Sequence, residues 1–247
     1  MLESFFSPTY IEPFRLFSTS HVLVLLLFSA STILLYAYRH SWYSETAKRV
    51  FRYMLACLLL LTEVSFQLWS VWTDTWSVAH SLPLQLCSIS LLLCVIMLCS
   101  KSFAVYEIAF FTGLGGAAQA MLTPELAYPF AHFRFFHFFL AHSAILWACL
   151  YMTWVEGYRP RLCSVWKSIA FLNLLLLIVL PVNKWSGGNY MFVSHKPENP
   201  SLLDYLGDYP WYLLSLEGVA LAVFLLLYLP FARANKASAD YSGQSSL

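Results

Sequence analysis

Charge is scarce in this sequence. Its 247 residues hold 14 Lys and Arg against 13 Asp and Glu, 11% in all, where a soluble domain carries roughly 25%. No run of basic residues offers a surface to nucleic acid and there is no acidic tail, so nucleic acid is not expected as a partner. Paired cysteine spacing is missing as well. Cys57, Cys87, Cys94, Cys99, Cys149 and Cys163 contain no CxxC, and five of the six fall inside apolar runs. That excludes a secreted disulfide framework and a zinc site, and no metal or cofactor is expected. The first twenty residues carry Glu3, Glu12 and Arg15 and lack the basic start of a signal peptide. The apolar run that follows is expected to be a retained span. No internal repeat is visible, which argues against an inverted-repeat transporter.

Apolar surface is abundant instead. The residues Ala, Val, Ile, Leu, Met, Phe, Trp, Tyr and Cys make up 60% of the chain, more than a soluble fold of this size can hide. The expected class is therefore all-α, a polytopic integral membrane protein. Apolar stretches of about 20 residues, the length needed to span, fall at about 21–38, 51–73, 77–99, 103–122, 132–155, 166–183 and 211–230. They predict a seven-transmembrane-helix bundle forming one domain over 1–233. Barrel strands would be half as long and would alternate in polarity. On one side the loops and span ends carry Arg39, Lys48, Arg49, Arg52, Lys101, Arg159, Arg161, Lys167, Arg233 and Lys236. The other side carries Arg15, Arg134, Lys184 and Lys196. This bias predicts N-out and C-in in the cytoplasmic membrane. The segment 184–210, KWSGGNYMFVSHKPENPSLLDYLGDYP, reads as an external loop or a lid, and 234–247 as a flexible cytoplasmic tail.

Few polar groups lie within the spans, and such groups are costly in hydrocarbon unless they face the bundle interior. They are Glu63 and Gln67, Gln85 and Cys87, Glu107 and Gln119, His137 and His142, Asn173, and Glu217. Counted from the expected outer ends at Thr73, Ser77, His132 and Asn183, four of them lie ten residues deep: Glu63, Cys87, His142 and Asn173. At 1.5 Å per residue they share a layer roughly 15 Å below the outer surface. A span starting nearer Pro83 would lift Cys87 by roughly 9 Å. His137 and His142 are five apart and point differently. Cys57, Cys94, Cys99 and Cys149 read as packing residues, and the Gly113–Gly116 region as close helix packing.

A cysteine and a histidine in one layer suit covalent acyl chemistry. A thiol is a weak nucleophile until it is deprotonated, and a neighbouring imidazole can take the proton. Glu63 or Asn173 could hold that imidazole in the productive tautomer. Two other readings stay open. Glu63, Glu107 and Glu217 could form a relay in a transporter or channel, or the chain could be a non-catalytic assembly protein. The seventh span has no lysine, which excludes a retinal Schiff base of the usual kind.

The stretches EVSFQLWS (63–70), LPLQLCSISLLL (82–93), GLGGAAQAMLTP (113–124), FFLAHSAILW (138–147), NYMFVSHKP (189–197) and PWYLLSLE (210–217) resemble the bacterial YwaF-like integral membrane family. That family is similar to the animal transmembrane protein 164 family of acyltransferases. The second resemblance rests on a glutamate in the second span, a cysteine in the third and a histidine in the fifth. It implies transfer of acyl chains between phospholipids and lysophospholipids, with Cys87 in LQLCS as nucleophile and His142 in LAHSA as base. Glu63 matches the family's membrane glutamate, and Asn189 an asparagine of its last long loop. Ser88 stands where the animal motif has a histidine. On this reading Gln85, Asn189, Tyr190 and Lys196 are expected to bind substrate, with the long loop holding the headgroup phosphate. Membrane lipid is the expected partner.

Overall fold

A computed structural model describes residues 2–9, 14–196 and 205–244, with side chains described as far as residue 232. The described residues contain helices and no strand: α1 (Leu2–Phe6), α2 (Thr19–Ala37), α3 (Glu45–Trp72), α4 (Leu86–Ser100), α5 (Phe103–Leu122), α6 (Phe133–Trp154), α7 (Leu162–Ser186), a 3-10 turn (Tyr190–Phe192) and α8 (Trp211–Gln244). Five of these, α2, α3, α6, α7 and the part of α8 up to Ala232, are long and apolar enough to cross a membrane.

The most apolar helices are not the most buried. α2, α7 and α8 lie at the periphery with little of their surface covered, while α6 is mostly buried. α5 carries Glu107, Thr112, Gln119 and a Gly–Ala-rich stretch, and it sits at the hub against α4, α6, α7 and α8. This is the pattern of a bilayer protein. Lipid tails are as apolar as leucine, so interior positions favour small residues and polar groups with partners.

Two boundaries differ from the sequence reading. The third apolar segment was expected to be helical from 77, but α4 begins at Leu86. Pro83 lacks an N–H and restricts Leu82 before it, and residues 77–85 form turns instead. α8 continues to Gln244 through most of the expected flexible tail, extending a helix already nucleated by the apolar stretch before it. Residues 245–247 of that tail, and 197–204 of the long loop, lie outside the described residues.

One end of the bundle is tied by buried ions. Arg52 on α3 donates from Nη1 to Glu156 Oε1 at 2.5 Å and from Nε to the Leu98 carbonyl at 3.2 Å. Lys101 Nζ lies 2.8 Å from the other Glu156 oxygen. This joins α3 to the C-terminal ends of α4 and α6. Burial pushes the Glu156 carboxyl up, but the hydrogen bonds from Lys101 and Arg52 outweigh it and hold the group below its ordinary range. Nearby, Tyr158 donates to the Lys101 carbonyl, and Glu107 accepts from Lys167 Nζ and Ser164 Oγ, each at 2.6 Å, tying α5 to α7.

Candidate functional site

Cys87 occupies the first turn of α4. Gln85 stands at the N-cap, but its side chain does not cap the helix. Its Oε1 accepts instead from the Met191 N–H at 3.0 Å. The helical ladder starts with Ile89 N donating to the Gln85 carbonyl. The N–H groups of Leu86, Cys87 and Ser88 therefore have no acceptor among the described residues, as expected of an uncapped first turn. Three unbonded donors thus lie in the same helical turn as Cys87, at the positive end of a helix.

This helix start is recessed. α4 has 15 residues, about 22 Å, against a hydrocarbon core of about 30 Å. Arg52 on α3 meets Leu98 on α4. From there α3 runs 20 more residues to Trp72, while α4 runs 12 back to Leu86. The eight-residue difference leaves the α4 start about 12 Å short of the end of α3.

His142 is buried on α6. Its Nδ1 lies 2.6 Å from the Phe138 carbonyl. A carbonyl only accepts, so Nδ1 carries the hydrogen, and in the neutral ring Nε2 holds the lone pair. No described residue bonds Nε2. The other well-packed histidines differ. His21 accepts at Nδ1 from Phe17 N and meets the Met121 carbonyl at Nε2. His132 accepts from Arg134 N and meets the Ser7 carbonyl. His137 accepts from Arg134 Nη1 and meets the Thr62 carbonyl. These three have both ring nitrogens occupied, whereas His142 has one with no partner among the described residues.

The relation of Cys87 to His142 can be read from the cysteines beneath them. Cys94 Sγ on α4 and Cys149 Sγ on α6 lie 3.7 Å apart. Cys87 is seven residues before Cys94, and His142 seven before Cys149. Seven residues make almost two full turns, so each residue returns to the face of its cysteine about 10.5 Å further along. α4 and α6 are in contact, so by this count Cys87 and His142 lie at similar depth on neighbouring helices, although no hydrogen bond joins the two side chains. A route through α3, by Arg52–Leu98 and His137–Thr62, sets them about 9 Å apart in depth. It runs over long side chains whose reach spans a turn each, so the contact of two short thiols is the tighter ruler.

The other expected site residues separate into distinct clusters. Glu63 Oε1 accepts from Gln67 Nε2 at 3.2 Å, and Gln67 also donates to the Ser81 carbonyl at 2.8 Å. Glu63 follows Thr62, so it lies at the level of His137, five residues from His142. Asn173 donates to Glu217 Oε1 at 2.7 Å and to the Ile169 carbonyl, joining α7 to α8 on an exposed face. Neither Glu63 nor Asn173 bonds His142, whose Nδ1 is held instead by the Phe138 carbonyl one turn away on α6 itself. Sequence could not single out that acceptor, because every helical residue has a carbonyl.

The long loop is organised from within. Tyr190 is fully buried. Its hydroxyl donates to the Val78 carbonyl at 2.6 Å and accepts from Leu82 N at 2.9 Å. Asn183, which the sequence reading used only as a span end, holds the Tyr190 backbone at both its N–H and its carbonyl. Asn189 accepts from the N–H groups of Ser194 and His195 and donates to the His195 carbonyl. Burial pushes the Tyr190 phenol up, with the Leu82 hydrogen bond opposing. Tyr190 and Asn189 are therefore held in internal bonds, Tyr190 buried and Asn189 half-exposed. Gly188 approaches so closely that a Cβ there would lie 2.5 Å from the Ala79 carbonyl oxygen. With the Gln85–Met191 bond, these contacts weld the loop after α7 to the turns that lead into Cys87. Lys196 sits over the Tyr212 ring at 6.0 Å. Beside the weld, a cavity of about 770 Å³ is lined by Lys184, Ser194, His195 and Tyr209 over an apolar floor of Leu180 and Val193.

A family model described as the TMEM164 family matches residues 16–228. The chain belongs to the TMEM164 family. The match runs from just before α2 to near the end of the apolar part of α8, and so takes in every helix that bears on Cys87 and His142. No curated protein and no solved structure matches the chain. Membership in the TMEM164 family, together with the long apolar helices, makes this a membrane protein with several spans. Among the described residues no cluster of His, Cys, Asp or Glu is arranged to hold a metal ion.

Proposed function

We propose that this TMEM164-family protein is a membrane-embedded cysteine/histidine acyltransferase, or acyl hydrolase, acting on phospholipid acyl chains. One observation carries the reading: the free Nε2 of His142, held in the base-ready tautomer at the level of Cys87. His142 Nε2 takes the Cys87 proton as Sγ attacks the ester carbonyl carbon. The developing oxyanion meets the unbonded N–H groups of Cys87 and Ser88. The carbonyl–oxygen bond then breaks, and the imidazolium returns the proton to the departing lysophospholipid. That leaves a thioester on Cys87. A lysophospholipid hydroxyl or water, deprotonated by His142, attacks the thioester and restores the thiol. The headgroup lies toward the 184–210 segment, where Lys184 and His195 offer charge and hydrogen bonds.

The same reading places α4 and α5 as the two further spans of a seven-helix, N-out and C-in bundle in the cytoplasmic membrane. Ester groups lie just below the headgroups, so a recessed α4 start reached from the outer leaflet suits the substrate. A relay of acids has no comparable support. Glu63 is bonded to Gln67, Glu107 to Lys167 and Ser164, and Glu217 to Asn173.

An acyl-chain probe that leaves a hydroxylamine-sensitive thioester tests this. The wild type should label at Cys87, His142→Ala should label weakly, and Cys87→Ser should form no such adduct. Lipid turnover by Cys87→Ser at the wild-type rate refutes the proposal.

A further inference from the structure

A second cavity, of about 620 Å³, lies between α2 and the segment leading into α6, and Cys87 and His142 line neither this cavity nor the one beside the long loop. Its wall changes character along α2. At one end stand Arg15, Ser18 and Ser20, and along the same helix follow Leu23 and Leu27, with Phe136 of α6 opposite. Residues 20, 23 and 27 are spaced to share one face of α2. From Ser18 to Leu27 the wall runs about 13 Å.

The polar end carries a cation that no carboxylate answers among the described residues. Arg15 is exposed and pairs with no described residue. Ser18 at the N-cap makes no capping bond, and its hydroxyl meets that of Ser20 at 3.2 Å. The first ladder bond of α2 runs from Val22 N to the Ser18 carbonyl. The apolar end is open: Leu23 is 53% exposed, Leu27 70% and Phe136 43%. In a membrane-spanning helix such a side opens onto hydrocarbon, so an occupant enters from the bilayer. It needs a negative charge at one end and a chain of apolar length below it.

We infer that this groove is a binding site for a glycerophospholipid, with its phosphodiester at Arg15 and an acyl chain along Leu23, Leu27 and Phe136. The charge complementarity at Arg15 selects a phospholipid over an uncharged lipid or an apolar helix. The site is independent of the chemistry proposed at Cys87 and stands if that chemistry fails.

The full chain in phosphatidylcholine nanodiscs tests it with two photoactivatable probes of identical acyl chains, a phosphatidylglycerol and a diacylglycerol without phosphate. The phosphatidylglycerol should crosslink to the Leu23–Leu27 stretch and to Phe136 about tenfold more than the diacylglycerol, the loss expected for one charge-assisted hydrogen bond. Arg15→Glu should erase that preference. Leu27→Trp should reduce crosslinking there and leave labelling of the exposed face of α7 unchanged. Equal labelling by the two probes on the unaltered protein overturns the inference without recourse to any variant. So does labelling spread evenly over α2, α7 and α8, or an unchanged preference in Arg15→Glu.

Discussion

Replacing Gly113 by alanine tests the packing on which the candidate site depends. A Cβ at position 113 would lie 3.0 Å from Cys149 Sγ and 3.1 Å from Ile145 Cγ2, both on α6, with Cys94 Sγ of α4 at 3.9 Å. All three neighbours are fully buried, so none can swing away cheaply. Two effects oppose. Alanine gains about 1 kcal/mol of helix propensity over glycine, and overpacking a close-packed core costs about 1–3 kcal/mol. Gly218→Ala on α8 carries only the first effect, because nothing lies within 4 Å of a Cβ there. The propensity gain cancels between the two variants, so Gly113→Ala should be less stable than Gly218→Ala by about 1–3 kcal/mol. Gly116→Ala should behave like Gly218→Ala, its nearest contact being Leu86 Cδ2 at an ordinary 3.5 Å. Cys149→Ala removes the sulfur that Gly113→Ala strikes, so the double variant should recover part of the loss, with a coupling of about 1 kcal/mol. The assay is reversible unfolding in mixed micelles followed by tryptophan fluorescence. If Gly113→Ala matches Gly218→Ala, α5 and α6 are not in close contact at Cys149. The Cys94–Cys149 ruler that levels Cys87 with His142 then falls with it.

Glu156→Gln should cost about 3–5 kcal/mol at neutral pH, because it leaves the buried Arg52 guanidinium without its carboxylate. The Glu156 carboxyl is held below its ordinary range, so its contribution is complete above the unfolded value near 4.3 and drains as pH falls through the lower folded one. The stability gap between wild type and Glu156→Gln should therefore close only below about pH 4, and a gap already closed at pH 6 would refute the clamp. Tyr190→Phe leaves the Leu82 N–H and the Val78 carbonyl without their partner and should cost about 1–3 kcal/mol. Hydrogen exchange at the Leu82 amide reports it, and protection equal to wild type would show that the two loops are not welded there. Asn173→Leu should leave acyl labelling of Cys87 near wild type, whereas His142→Leu should abolish it. Equal loss in both variants would return Asn173 to the catalytic group.

The all-helical class was legible from composition, and the helices α2, α3, α6, α7 and the apolar part of α8 from run length. The start of α4 was not, because the apolar run 77–99 is continuous in character and only the backbone chemistry of Pro83 divides it. Counting depth from Ser77 selected Cys87, but α4 starts at Leu86, so that count fails for Cys87, and its level relative to His142 is read instead from the contact of Cys94 with Cys149, residues that read as packing. The role of Tyr190 was out of reach for another reason. Its partners Val78 and Leu82 stand more than a hundred positions earlier in the chain, and no local pattern marks a tyrosine that pins a distant loop. Asn173 and Glu217 each looked like a lone polar residue facing the core, since nothing in either helix signals that the other will meet it.

The few charges are divided in a way that composition conceals. The four described ion pairs are Lys48–Glu45, Arg52–Glu156, Lys101–Glu156 and Lys167–Glu107. All lie at the end of the bundle that carries the α2–α3, α4–α5 and α6–α7 connections. At the opposite end Arg15, Arg134 and Lys184 have no carboxylate within ion-pair distance among the described residues. Arg134 is instead stacked over Phe66 at 4.2 Å and bonded to His137. Cations at a membrane surface are attracted to lipid phosphates. The ion-paired end holds the helices in register. The end with Arg15, Arg134 and Lys184 is the one that contains Cys87, the groove at Arg15 and the cavity at Lys184. The acyl transfer proposed at Cys87 would use that end's cations to hold a phospholipid phosphate, a demand that the ion-paired end does not have to meet.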